Sequence, residues 1–339
     1  MAADIIALPG ARDVSPASIV VCCYSDERWQ DLQEAILSAL AQSPPAREVV
    51  VVVDHNPALA GRVAARFASS FPLLSVVENG GPRGLSGARN AGIAASTGAM
   101  ILFLDDDAVA APNLLARLTA RVAEPGTLGA MAAIRPDWTG GRPGWFPDAF
   151  LWTVGCTYEG LAAGEVRNLI GAAMCVRRSV FERVGGFTTD LGRTHAALPL
   201  GCEETELCIR AGRDGRFVHE PAALCQHKVP PRRATWRYFL HRCWAEGLSK
   251  AALSAIAGTG RSLAAERTYV ARTLPRAVRG ALADFVLRGE ASGGPRAAAI
   301  LSGLAVTAAG YAAGRARLAA GGRRGPSAPS TRRPAGSVG

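Results

Sequence analysis

Met100-Ile101-Leu102-Phe103-Leu104-Asp105-Asp106-Asp107 is the stretch that decides the fold: an apolar run closed by three consecutive aspartates. An unbroken apolar segment that stops abruptly in carboxylates reads as a strand buried on both faces, its C-terminal tip opening into a polar site. Three like charges at one strand end repel one another, and a bound cation relieves that cost. Carboxylate oxygens suit Mn²⁺ or Mg²⁺, and Mg²⁺ is commonly held by one or two protein carboxylates together with substrate phosphates. An acidic surface turn is the plain alternative, and the neighbouring sequence weighs against it.

Upstream, Ser18-Ile19-Val20-Val21-Cys22-Cys23 reads as a first strand, followed by the polar turn Tyr24-Ser25-Asp26-Glu27. Leu32, Ala35, Ile36, Ala39 and Leu40 then recur at helical spacing until Pro44-Pro45 ends the helix. Val49 to Val53 is a run of valines, which only a strand buried on both faces explains well, and it ends in the turn Asp54-His55-Asn56-Pro57. Residues 58–71 read as a helix and 73–77 as a third strand. This alternation predicts an α/β fold, a doubly wound and mostly parallel sheet with helices on both faces. Ligands bind such sheets at the carboxyl ends of the strands, so Tyr24, Asp54 and Asp105 to Asp107 are expected to converge on one site.

The loop Gly80 to Gly87 runs into Ala88-Arg89-Asn90, a helix start. It either faces phosphate, with Arg89 one turn in, or is an ordinary turn. It is neither a Walker motif nor a dinucleotide fingerprint. From 126 to 168 the pattern loosens, and Trp138, Trp145 and Trp152 there either stack on a sugar or pin a loop to the core. Residues 169–176 form another apolar run, and a short helix from Arg177 stops at Gly185-Gly186-Phe187.

Glu203-Glu204-Thr205-Glu206 opens a further helix after Pro199-Leu200-Gly201. Acids at a helix N-terminus complement its dipole, but one would suffice, and three in this turn suggest a carboxylate placed as a general base. His227, in Gln226-His227-Lys228, precedes the basic hinge Pro230-Pro231-Arg232-Arg233. It is either a hydrogen-bonded histidine or a further metal ligand, and the hinge arginines can hold a diphosphate.

Composition sets outer bounds. The chain has 339 residues, 49% hydrophobic and 19% charged, as folded proteins do, and a net charge of +10. That charge is uneven: residues 1–225 carry 19 Arg against 24 Asp+Glu, residues 226–339 carry 19 Lys+Arg against 4 Asp+Glu. A basic rear suits an anionic membrane face or substrate phosphate, and no nucleic-acid motif accompanies it. The eight cysteines show no CxxC spacing and no secretory segment precedes them, so they are expected as reduced thiols in a cytoplasmic protein. Trp236, Phe239, Leu240, Cys243, Trp244, Leu248, Ala251 and Ala252 mark one face of an amphipathic helix. Residues 297–314 are uncharged but mostly Ala and Gly, which fits a packed or surface-lying helix better than a span.

In their order, Tyr24, Asp54, Gly84 to Gly92 with Ala88-Arg89-Asn90, Phe103 to Asp107, Gly185-Gly186-Phe187 and Glu203-Glu204 resemble the family 2 inverting glycosyltransferases of GT-A fold. The resemblance covers residues 18–230. It implies a nucleotide-sugar donor (UDP-, GDP- or dTDP-linked) with Tyr24 and Asp54 at its nucleobase and ribose, and Arg89 and Asp106 near its phosphates or sugar. Asp105 and Asp107 match the Asp-x-Asp motif for Mn²⁺ or Mg²⁺, with His227 a further contact. Glu204 matches the catalytic base, with Glu203 beside it, acting on a hydroxyl of a glycan or lipid-linked acceptor. The sequence departs from the family where the second strand ends Asp54-His55-Asn56-Pro57, and in having Glu where the base is commonly Asp.

The implied organisation is a leader (1–17), a GT-A domain (18–230), a basic amphipathic helical extension (231–320) and a disordered tail (321–339), with the enzyme cytoplasmic or peripheral at the inner face of the plasma membrane. A sugar-1-phosphate nucleotidyltransferase is the competing enzyme, but it needs a glycine-rich basic loop after the first strand, which Tyr24 to Arg28 is not. A non-catalytic basic protein binding a membrane surface would explain the rear of the chain but not the acids at strand ends.

Overall fold

The computed structural model describes residues 14–189, 201–257 and 264–321. Most of the expected leader and tail, and the turn at Pro199-Leu200, lie outside the described residues.

The valine run is β2 (Glu48–Val53), and it explains the first half of the fold. It pairs in parallel with β1 (Ala17–Cys23) on one side and β3 (Leu74–Glu78) on the other, and β1 pairs in parallel with β4 (Met100–Asp105). Side chains alternate across a strand. Val49, Val51 and Val53 therefore join Ile19 and Val21 in one core, under α1 (Trp29–Leu40) and α2 (Pro57–Val63). Val50 and Val52 join Val20 and Phe103 in a second core beneath α3 (Leu85–Ala95). Each fully buried aliphatic side chain contributes about 1.5–3 kcal/mol, so neither face of this strand tolerates a polar residue.

Beyond β4 the sheet becomes mixed. β8 (Ala173–Arg177) pairs antiparallel with β4, and β6 (Thr127–Trp138) antiparallel with β8. β9 (Arg216–Val229) then runs parallel to β6 and antiparallel to the short β5 (Ala108–Ala110) and β7 (Gly164–Val166). The sheet order is β3-β2-β1-β4-β8-β6-β9-β5, with β7 on β9. The chain order reverses between β1 and β4, which puts their carboxyl ends at the switch point where α/β sheets take ligands. α4 (Leu114–Ala123) covers the far side of the sheet with Leu114, Leu115, Leu118 and Val122. α5 (Arg178–Val184) and α6 (Glu203–Ala211) complete the second core through Val180, Phe181 and Leu207.

β6 lies where the sequence reads as loose. Its buried stretch Thr127 to Ala132 includes Gly129, Ala130 and Ala132, small residues of weak strand preference. Their size has a cause: a side chain on Gly129 would meet the Cys175 carbonyl at 2.9 Å. The tryptophans pin the following segment to the core, as the second of the two alternatives required. Trp145 packs edge-on against Trp236 and Phe239 and at a tilt against Phe146, and Trp152 donates from Nε1 to the Tyr269 hydroxyl at 3.2 Å.

The chain continues as α7 (Trp236–Ala257), α8 (Ala264–Thr268), α9 (Leu274–Leu287) and α10 (Gly293–Gly321). The apolar stripe of α7 is intramolecular: Phe239, Cys243, Leu248 and Ala251 are buried. The uncharged segment 297–314 lies within α10, packed along α7. The two backbones touch: a Cβ on Gly247 would meet the Thr307 carbonyl at 2.2 Å, and one on Gly310 the Trp244 carbonyl at 2.5 Å. α10 is long and apolar enough to cross a membrane by length and composition. Its outer side and that of α9 expose Leu282, Phe285, Val286, Leu287 and Leu301. The eight cysteines are all free. Burial pushes the Cys175 and Cys208 thiols up to about 12, leaving them unreactive near neutral pH.

Candidate active site

β1, β2 and β4 deliver their last residues to one edge of the sheet, and α6 brings its first turn to the same place. Arg89 joins the two acidic segments. It is 2% exposed, one turn into α3, and its guanidinium meets Glu204 at 2.9 Å, Glu203 at 3.4 Å and Asp105 at 3.6 Å. Its other side rests on aromatic rings, 5.3 Å from the centroid of Phe187 and 6.0 Å from that of Phe103. Arg89 therefore lies beneath the carboxylates and holds them in register, while still lining the cavity above.

The neighbouring motif residues support this arrangement. Asn90 accepts from the Phe187 backbone N–H at 2.8 Å and donates to its carbonyl at 2.9 Å, which fixes the Phe187 ring beneath Arg89. Gly171 permits the bridge above: a Cβ there would lie 2.0 Å from Glu204 Oε1 and 2.4 Å from Arg89 Nη2. Cys202, just before α6, holds the left-handed conformation at φ 75°, unusual for a non-glycine residue and strained. Strain of this kind persists where the surroundings dictate it, here at the start of the acidic helix.

The three aspartates separate in role. Asp105 is part-exposed at the tip of β4, whereas Asp106 and Asp107 are buried. Asp106 pairs with Arg28 at 2.6 Å, and burial pushes its carboxyl up to about 7 against the opposing effect of that arginine. Asp107 meets His227 Nε2 at 2.9 Å, Arg233 at 3.2 Å and Arg28 at 3.3 Å. Burial opposes its ionisation, but His227 and the two arginines hold it well below the usual carboxylate range. His227 is brought there by β9, whose register sets it opposite Ala108 of β5. Burial favours the neutral ring, but Asp107 outweighs it and raises the imidazole to about 10.

One ligand atom from each of Asp105, Asp107 and His227 lies within 4.8 Å of the others. Two carboxylates and an imidazole are a donor set that suits Mn²⁺. These residues fit a divalent ion, provided that His227 gives up the proton it shares with Asp107.

Asp54 and Tyr24 lie at the neighbouring strand ends. Asp54 is buried, its oxygens accepting from Asn79 Nδ2 at 2.7 Å and the Gly84 N–H at 2.9 Å, with His55 Nδ1 at 2.8 Å. It thereby ties the glycine-rich loop to the end of β2. Tyr24 is 43% exposed, with the Arg28 guanidinium 5.8 Å from its ring centroid. Sequence reading did not single out Arg28, Asn90's clamp or Gly171, since their roles rest on partners 78, 97 and 33 positions away.

A cavity of about 540 Å³ opens over Arg89, Asp105, Glu203, Glu204 and His227, a volume typical of ligand sites. It extends between the C-terminal helices, where Arg242, Glu246, Lys250, Leu304 and Tyr311 line it.

The sheet with its switch-point acids defines the GT-A glycosyltransferase architecture, and solved structures of that kind share it. A mannosyltransferase from Pyrobaculum calidifontis, PcManGT, solved with GDP-Man and Mn²⁺, superposes over 86% of both chains at a TM-score of 0.55 and 19% identity. GalNAc-T7, solved with UDP, GalNAc and Mn²⁺, superposes over 63% of this chain and 43% of its own at 0.51. The family model "Glycosyl transferase family 2" matches residues 18–185. The glucosyl-dolichyl phosphate glucuronosyltransferase of Haloferax volcanii is 32% identical over 238 residues, 69% of this chain and 75% of the relative. The succinoglycan biosynthesis protein ExoM of Rhizobium meliloti is 27% identical over 68% of this chain and 72% of its own. The chain belongs to glycosyl transferase family 2, and it is a glycosyltransferase.

The protonated ring of His227 yields a pH prediction. Below its raised pKa the ring carries a proton that a metal must displace, so Mn²⁺ affinity should climb with pH between about 6 and 9, by about tenfold per unit. Calorimetry in buffers of different ionisation enthalpy should show about one proton released per ion at neutral pH. An affinity independent of pH would remove His227 from the ligand set.

Proposed function

We propose that the protein transfers a sugar, with inversion, from a nucleoside-diphosphate sugar to an acceptor hydroxyl on a glycan or lipid-linked carrier. The observation that carries this reading is the buried Arg89, which sets Asp105 at the tip of β4 beside the part-exposed Glu204 of α6. Asp105, Asp107 and His227 would hold Mn²⁺ or Mg²⁺. That ion supplies a positive charge for the diphosphate leaving group. The donor's nucleobase lies against the open ring of Tyr24 and its ribose near the end of β2, where Asp54 shapes the loop, and Asp106 keeps Arg28 beside both.

Glu204 is the base. Both glutamates line the cavity, but the Glu204 side chain is 17% exposed and that of Glu203 4%. Greater accessibility supports Glu204, because a general base must come within hydrogen-bond reach of the proton that it removes. Glu204 takes the proton of the acceptor hydroxyl as its oxygen attacks the anomeric carbon opposite the departing diphosphate, and one displacement gives inversion. Arg89 fixes the direction of the carboxylate, and Glu203 shares that guanidinium.

Acceptors carried on lipid suit the exposed apolar side chains of α9 and α10, with Arg276 and Arg279 among them. Such a face resembles a helix pair lying on an anionic bilayer surface. The H. volcanii relative, named for a dolichyl phosphate substrate, supports the same placement.

A panel of UDP-, GDP- and dTDP-sugars tests the enzyme reading through Mn²⁺-dependent hydrolysis. Asp107→Asn, which keeps shape and loses charge, should abolish metal-dependent donor binding. Glu204→Gln should keep binding and lose turnover by about 10²–10⁴-fold, the usual range for a general base. Unchanged donor binding in the first variant, or unchanged turnover in the second, contradicts the assignment. For the membrane face, the protein should co-sediment with anionic vesicles and be released by Phe285→Glu with Val286→Glu; equal binding to neutral vesicles, or by the variant, excludes it.

A further inference from the structure

The outer arm of the cavity has features that metal, donor and base leave unused. Arg242, Glu246 and Lys250 recur every fourth residue along α7, so they share the helix face that lines the cavity. Glu246 and Glu266 are both committed: Lys250 meets them at 2.9 and 2.6 Å, and Arg167 meets Glu266 at 2.5 Å. Three cations thus face two carboxylates, and Arg242, which feels Glu246 only at a distance, is the one without a direct carboxylate partner. Among the described residues it makes no ion pair, and its Nε is buried without a hydrogen-bond partner. A cavity-facing guanidinium left in this state is costly unless an anion completes it.

The wall beside this charge is apolar. Val270, Leu274, Leu304, Ala308 and Tyr311, from the segment after α8 and from α9 and α10, line the same arm, and Val270 is 41% exposed. A planar fork of donors next to an open hydrocarbon wall matches one ligand chemistry: a phosphate group bearing an alkyl chain.

Resting on the transferase reading, we infer that this arm is the acceptor subsite, in which Arg242 binds the phosphate of a lipid-phosphate-linked acceptor and the α9–α10 wall receives the first carbons of its chain. The acceptor's sugar then points inward to Glu204 along the same cavity. The glycan part of the acceptor is held near the base, and specificity for a lipid carrier comes from the helices that follow the GT-A core.

The test uses n-octyl phosphate, n-octanol and inorganic phosphate as probes of the full-length protein, with binding followed by calorimetry. Octyl phosphate should bind at least about tenfold more tightly than either fragment alone, because a charged hydrogen bond and an apolar contact act together. Arg242→Gln should weaken octyl phosphate by about tenfold or more, and Arg242→Lys should restore part of the loss. Nucleotide-sugar binding, measured on the same samples, should match wild type, which shows that the variants are folded. Octyl phosphate binding equally well to Arg242→Gln overturns the assignment, as does failure to bind wild type. Inorganic phosphate binding as tightly as octyl phosphate overturns the lipid part and marks a site for free phosphate. If no nucleotide sugar binds wild type while octyl phosphate behaves as expected, the transferase reading fails and the anion site stands.

Discussion

One buried guanidinium holds the candidate site together. Arg89 is surrounded by Asp105 from the end of a strand, by Glu203 and Glu204 from the start of a helix more than a hundred residues away, and by two phenylalanine rings. Burying an arginine is expensive, and the cost is offset only when carboxylates and good geometry accompany it. Removing one partner of such a group typically costs about 3–5 kcal/mol, so the carboxylates and the arginine hold one another in place. The local motifs then make physical sense together. Asn90 clamps Phe187 under the arginine, and Gly171 leaves space for the bridge above it.

The metal-suited end works by a different balance. Asp106 and Asp107 lie inside the protein, where their charges need cations, and Arg28, Arg233 and His227 provide them from a turn after β1, a turn after β9 and the end of β9. Only Asp105 keeps an open side. The two buried aspartates are thus matched by two arginines and one imidazole.

Much of this was legible in the sequence, for identifiable reasons. Val49 to Val53 and Met100 to Leu104 announce strands buried on both faces, because no other environment rewards such runs. Asp54, Asp105 and Glu203-Glu204 announce a polar site because each ends or begins an element abruptly. β6 was not legible: its glycine and alanines weaken the strand pattern, and Gly129 is there because Cys175 and Phe217 leave no room for a side chain, a constraint written elsewhere in the chain. The seat of Arg89 under the acids, rather than facing solvent, was equally hidden, as was the way in which α7 and α10 extend the cavity. The helical extension showed its amphipathic stripe, but not that Gly247 and Gly310 would let two helices meet backbone to backbone.

Arg89 and Glu204 are proposed to act as one unit. A double-mutant cycle on Mn²⁺-dependent donor hydrolysis, with Arg89→Lys, Glu204→Gln and the combination, tests it most directly. Lysine keeps the charge but loses the fork that aims the carboxylate. Arg89→Lys is expected to slow hydrolysis in the wild-type background and to cost much less once Glu204 is changed, the remainder reflecting its contacts with Asp105 and Glu203. Losses that multiply in the double variant would show two independent contributions and contradict it.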